Sequence, residues 1–270
     1  MPDAPTSPSP DTSVSPSPME MIKLHNVGTD APWRWLRKGW SDMWSVPGIS
    51  LSYGAGFALL TAIIVTGLLG FGWQSLVVAL WGMFLLLGPM LAVGLYEASR
   101  RLESGEKITF SDVTLVGVRS RGQLAFMGVL LMLLSLVWVL IAFILFMIFF
   151  GVGPLPPASE FISHLLLTQH GVSFLVIGTL AGAILALVVF ALSAISVPLL
   201  MVREIDVVTA AMTSVRAVRQ NPSAMLLWAI LIVALTAVGV AAAFVGLVIT
   251  FPLIGHATWH AYREIVEGEK

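Results

Sequence analysis

Cysteine is absent from the 270 residues. That excludes disulfides, thiolate metal sites and a cysteine nucleophile, and it leaves the redox compartment open. Charge is scarce: Asp, Glu, Lys and Arg together make up 11% of the chain, against about 25% in soluble domains. The net charge is −1, with no basic run and no basic-aromatic stripe, so nucleic acid is not an expected partner. There is no phosphate-binding glycine loop, no defensible Ser-His-Asp order and no carboxylate dyad. No charged residue sits in the middle of an apolar run, which argues against an ion-coupled pump or proton relay. The first twenty residues lack aromatics, a basic start and an apolar core, so they do not read as a signal peptide.

What the chain has instead is apolar length. Hydrophobic residues make up 57% of it, and mean hydropathy is +0.93. Several runs reach the roughly 20 residues that a helix needs to cross hydrocarbon. They are solidly apolar rather than alternating, which favours helices over a barrel. The expected fold is an all-α membrane protein with six transmembrane helices in three hairpins. The spans fall at about 49–71, 73–96, 123–150, 172–200, 223–238 and 240–262. The last two come from one run, Ser223–Tyr262, with a turn expected at Gly239. Residues 1–30 read as a disordered Pro/Ser-rich cytoplasmic tail, and 31–270 as one polytopic membrane domain.

Amphipathic stretches precede the hairpins and are expected at the interface on the cytoplasmic side. In Pro32–Val46, Trp33, Leu36, Trp40, Met43 and Trp44 recur at helical spacing beside basic residues, as suits a helix in the headgroup layer. Thr109–Arg119 and Arg203–Gln220 read as further surface helices, the latter with Val208, Met212 and Val215 on one face. With six spans and a cytoplasmic N-terminus, all 14 Lys and Arg residues lie inside, as the positive-inside rule favours. Five spans would put Arg263 and Lys270 outside.

An echo supports the even count. Gly88–Lys107 and Phe251–Lys270 match at a constant offset: Pro89 with Pro252, Ala98 with Ala261, Arg100 with Arg263, Gly105 with Gly268. Glu97, Arg100, His260 and Arg263 form a candidate paired polar cuff. Pro89, Pro198 and Pro252 are candidate helix kinks. His256 and His260, at i and i+4, share a helix face and are the candidate metal or haem ligands, with Glu97 as a further donor. The plainer reading has both histidines bonding to backbone or headgroups near the interface.

The segments WLRKGWSDM, GPMLAVGLYEASRRLESGE, VPLLMVREIDVVTAAMTSVRAVRQNP and FPLIGHATWHAYRE together resemble a family of bacterial, mostly proteobacterial, integral membrane proteins catalogued as a domain of unknown function. The resemblance spans about residues 30–265 and implies the bacterial cytoplasmic (inner) membrane, but no activity. The expected function is therefore non-enzymatic: an accessory or assembly component, or a small permease-like bundle, with both termini cytoplasmic. Expected partners are membrane lipids, other membrane proteins or a second copy of the chain, and no cofactor is expected. The alternative is a membrane-embedded protein binding haem or a divalent metal through His256 and His260.

Overall fold

The computed structural model describes residues 22–71, 74–114, 120–151 and 158–268. Among these the chain is helical, with no strand. The helices are α1 (Ala31–Ser45), α2 (Pro47–Gly70), α3 (Gln74–Leu91), α4 (Val93–Glu103), α5 (Phe110–Thr114), α6 (Arg121–Phe150), α7 (Ala158–Leu167), α8 (Gln169–Ser193), α9 (Ser196–Val202), α10 (Val207–Gln220), α11 (Pro222–Ala241) and α12 (Leu247–Glu267).

Among the described residues, four stretches are long and apolar enough to cross a bilayer: Pro47–Gly70, Arg121–Phe150, Gln169–Val202 and Pro222–Ala241. Their outward faces are bare hydrocarbon. Leu133, Leu140 and Ile144 on α6 and Leu180, Ile184 and Leu187 on α8 are all exposed. Water would penalise such faces, whereas lipid does not. The chain is thus an integral, multi-pass membrane protein. The last apolar run is two helices, as expected, but α11 runs straight through Gly239, and the turn falls at residues 242–246. Gly239 serves packing instead: a Cβ there would lie 2.4 Å from Thr250 Oγ1 and 2.7 Å from Leu247 Cδ2.

α6 pairs with α8 and α11 with α12, α3 lies chiefly against α6 and touches α2 less than the expected hairpin implies, and α12 also packs along α1, α2 and α4. Glycines set the closest crossings. A Cβ on Gly39 of α1 would lie 2.6 Å from Ala257 N on α12, and one on Gly255 of α12 would lie 2.6 Å from Leu95 Cδ1 on α4. Gly82 of α3 and Gly182 of α8 hold the Trp138 indole of α6 between them.

Burial is uneven along the molecule. The fully buried large side chains Trp35, Tyr96, Ile195, Leu199, Trp259 and Tyr262 cluster where α1, α4, α9 and the second half of α12 meet. This end forms a cap. It is tied shut by residues 22–27, so the expected loose tail does not reach as far as residue 30. Its earlier part lies outside the described residues. His25 N donates to Ile265 O at 2.8 Å, and Val27 N donates to Asn221 Oδ1 at 2.8 Å.

The surface helices turn small residues inward. Ala31, Trp35, Gly39 and Met43 form the buried row of α1, while Trp33, Trp40 and Trp44 face out. Met43 therefore leaves the outward face expected for it, since Gly39 and Ala31 let the row that holds it approach α12. On α10, Ala210, Ser214 and Ala217 are buried, and Val208 and Met212 are exposed. Of Thr109–Arg119, the described part forms the short α5. The rest lies outside the described residues.

The three prolines behave differently. α3 ends two residues after Pro89, where the chain restarts as α4. Pro198 sits in the first turn of α9, just after the break from α8, and Ser214 Oγ receives the N–H of Ile195 at that break (3.1 Å). α12 continues through Pro252. The echo has a backbone counterpart: Gly105 (φ +67°) and Gly268 (φ +79°) both take a positive φ, which favours glycine, just after their helices.

Candidate functional site: a buried hydroxyl–histidine chain beside an apolar cavity

α12 delivers His256 and His260 to one face, as their spacing requires. The close crossings at Gly39 and Gly255 then bring α1 and α4 against that face. His256 is fully buried, and both of its ring nitrogens meet hydroxyls: Nε2 lies 2.9 Å from Ser50 Oγ, and Nδ1 lies 2.8 Å from Ser99 Oγ. Ser99 Oγ donates its single hydrogen to Asp42 Oδ2 at 2.6 Å. It must therefore accept from Nδ1–H. That count places the His256 proton on Nδ1 and leaves Nε2 of the neutral ring to accept from Ser50. Asp42 Oδ2 also accepts from His260 Nε2 at 2.8 Å.

The chain Ser50–His256–Ser99–Asp42–His260 thus joins α2, α12, α4 and α1. Past His260 the contacts become ionic. Glu103 Oε1 lies 3.6 Å from His260 Nδ1, and Glu103 Oε2 accepts from Arg263 Nε at 2.9 Å. Arg263 also pairs with Glu267.

The cuff residues are near one another but not joined as their sequence equivalence suggests. Glu97 is taken by its own helix, accepting from Arg100 Nε at 2.7 Å and Arg101 Nε at 2.8 Å. Burial alone would raise the Glu97 carboxyl, but the hydrogen bonds and charges of the two arginines outweigh it and hold it below the ordinary range. Asp42 and Glu103, not Glu97, are the acidic neighbours of His260. Glu264, one turn past His260, accepts from Trp35 Nε1 at 2.8 Å and pairs with Arg34.

No group of three or more His, Asp or Glu side chains among the described residues is placed to hold a metal. The serine–histidine spacing is what acyl transfer uses. However, Ser50 is fully buried and lies outside the lining of the neighbouring apolar cavity.

That cavity, of about 570 Å³, lies between α2, α3, α8, α11 and α12. Tyr96, Ser193, Trp228 and Thr258, all buried, form its floor next to the cap. Exposed Leu187 on α8 and Leu226, Ile230 and Val233 on α11 also line it, so it opens sideways between those helices. No charged residue or histidine lines it.

Residues 76–201 match DUF2189, described as a predicted integral membrane protein. The resemblance to an integral membrane family of unknown function is shown on that stretch. The DUF2189 match runs from α3 into α9. It holds Ser99 and Glu97 but not Asp42, Ser50, His256 or His260. No curated protein and no solved structure matches the chain.

Sequence reasoning found the histidine pair and missed Ser50, Ser99 and Asp42. A hydroxyl at the mouth of an apolar run and another inside the cuff were the available signals, and neither is specific without the fold. Trp228 was missed as well, as one aromatic in a long apolar run.

Proposed function

We propose that this chain is a non-enzymatic, six-crossing protein of the bacterial inner membrane that holds a neutral apolar guest, a small permease-like bundle. The observation that carries the proposal is the cavity. It falls within the roughly 300–1,000 Å³ of small-molecule sites, opens sideways where lipid would lie, and has no charged group in its lining. α3 and α12 supply the fifth and sixth crossings, each beside a partner hairpin arm. The lysines and arginines then share the cap side with both termini. α1 and α10 rest in the headgroup layer, with Trp33, Trp40, Trp44, Val208 and Met212 turned to lipid.

The test is native mass spectrometry with elemental analysis of the purified full-length chain. A retained neutral lipid, displaced by the cavity-filling Ala229→Trp, supports the reading. Stoichiometric metal or haem absorbance lost in His256→Ala would overturn it in favour of the histidine-ligand alternative.

A further inference from the structure

We propose that α1 carries a recognition site for the phosphate group of an anionic phospholipid in the cytoplasmic leaflet, with Arg37 and Lys38 as its cations. It rests on reading α1 as a helix in the headgroup layer, and it adds which lipid that helix selects. Trp33, Trp40 and Trp44 are all exposed. At i, i+7 and i+11 they fall on nearly one line along the helix. Arg37, four residues after Trp33 and three before Trp40, lies beside that line, and Ser41 follows one turn on. Arg37, Lys38 and Ser41 are exposed as well. Around the helix the outward face thus passes from indole rings to a guanidinium and then to a hydroxyl. That is the order in which acyl chain, phosphate and water are met at a bilayer surface. The chain itself sets the depth: Val46 alone separates α1 from α2, which is long and apolar enough to cross a bilayer.

Charge decides what this face attracts. The two nearby acids in the chain are both engaged. Asp30 pairs with Arg34, and Asp42 turns inward to accept from Ser99 and His260. Arg34 is held in turn by Asp30 and Glu264. Arg37 and Lys38 form no ion pair among the described residues. Other cations of the cap are matched: Arg100 and Arg101 by Glu97 and Glu106, and Arg263 by Glu103 and Glu267. Two adjacent cations are therefore left facing outward. A zwitterionic headgroup brings its own ammonium group to such a pair, whereas a lipid of net negative charge complements it. The guanidinium can grip two phosphate oxygens at once, and the lysine adds a point charge.

The cysteine-free chain makes a single-site test possible. Full-length Trp44→Cys carrying a maleimide fluorophore is placed in phosphatidylcholine nanodiscs. A nitroxide-tailed quencher lipid is then titrated in, either as phosphatidylglycerol or as phosphatidylcholine. The phosphatidylglycerol quencher should reach half-quenching at a mole fraction at least about fivefold lower, the advantage expected from one basic residue at a bilayer surface. Adding Arg37→Gln and Lys38→Gln should bring the two quenchers to parity. Lys107→Gln, which removes an exposed cation outside α1, should leave the gap unchanged. Equal quenching by both lipids in the parent protein overturns the proposal and leaves α1 in the headgroup layer. An equal loss in Lys107→Gln also overturns it, because the preference would then belong to the overall charge of the cap. Quenching by neither lipid removes the interfacial reading of α1 together with the site.

Discussion

The carbonyl of Val248 faces Gly54. Residue 252 is proline and has no N–H to give that carbonyl, so α12 leaves the oxygen turned toward α2. A Cβ on Gly54 would lie 2.3 Å from it and 3.0 Å from Pro252 Cδ. Gly54→Ala is expected to push α2 and α12 apart and to destabilise the protein by about 1–3 kcal/mol. Gly56→Ala, where a Cβ meets nothing within 4 Å, is the control and should be neutral. Thermal unfolding of both variants in one detergent decides it. A neutral Gly54→Ala would show that the crossing is looser than described.

The proton assignment at His256 is open to direct measurement. Nitrogen-15 spectra of histidine-labelled protein should show one neutral imidazole protonated at Nδ1. Ser99→Ala should alter that signal and, by leaving Nδ1–H unpaired, cost about 1–3 kcal/mol. Ser50→Ala should perturb Nε2 alone. A buried imidazole protonated at Nε2 in wild type would contradict the hydrogen-bond count.

Acid stability should report two carboxylates. Hydrogen bonds from the Thr209 hydroxyl and then its N–H hold Asp206 below the usual range, and Glu97 is depressed by Arg100 and Arg101 despite burial. A depressed carboxyl adds stability above its unfolded value, about 3.9 for Asp and 4.3 for Glu. It loses that contribution as pH falls through the lower folded value. Glu97→Gln and Asp206→Asn should therefore lose stability at neutral pH and show a flatter decline below about pH 4. Unfolding midpoints across pH 2.5 to 7 check this, and a wild-type decline already under way at pH 6 would contradict it.

The lack of native cysteine makes topology simple to test. Ser104→Cys follows the first cuff, and Leu167→Cys lies at the exposed end of α7, the side opposite the cap in a six-crossing layout. A membrane-impermeant maleimide should label Leu167→Cys in intact cells and Ser104→Cys after permeabilisation alone. Labelling of both from outside would refute the layout.

The sequence carried the helical class, the pairing of the last apolar run and the common face of His256 and His260, because each depends on spacing within one helix. It misjudged α1, where large apolar side chains drew the eye to the Trp33–Trp44 face. Packing used Ala31 and Gly39, whose value is what they lack. Ser50, Ser99 and Asp42 come from three separate helices, and no periodicity links them. The Glu97–His260 correspondence was sound as an echo. It does not describe a contact, because Arg100 and Arg101 lie within reach of Glu97 on its own helix.

His25 and Val27 are fastened to Asn221 and Ile265 across nearly the whole chain. During synthesis, the early segment has only Asn221 to grip until α12 has left the ribosome and brought Ile265. α1 and α4 must wait in the same way for their crossing partner. The cap is thus a clasp that closes last, and a ribosome stalled before α12 would leave α1 without its main partner while α3, α6 and α8 already pack together.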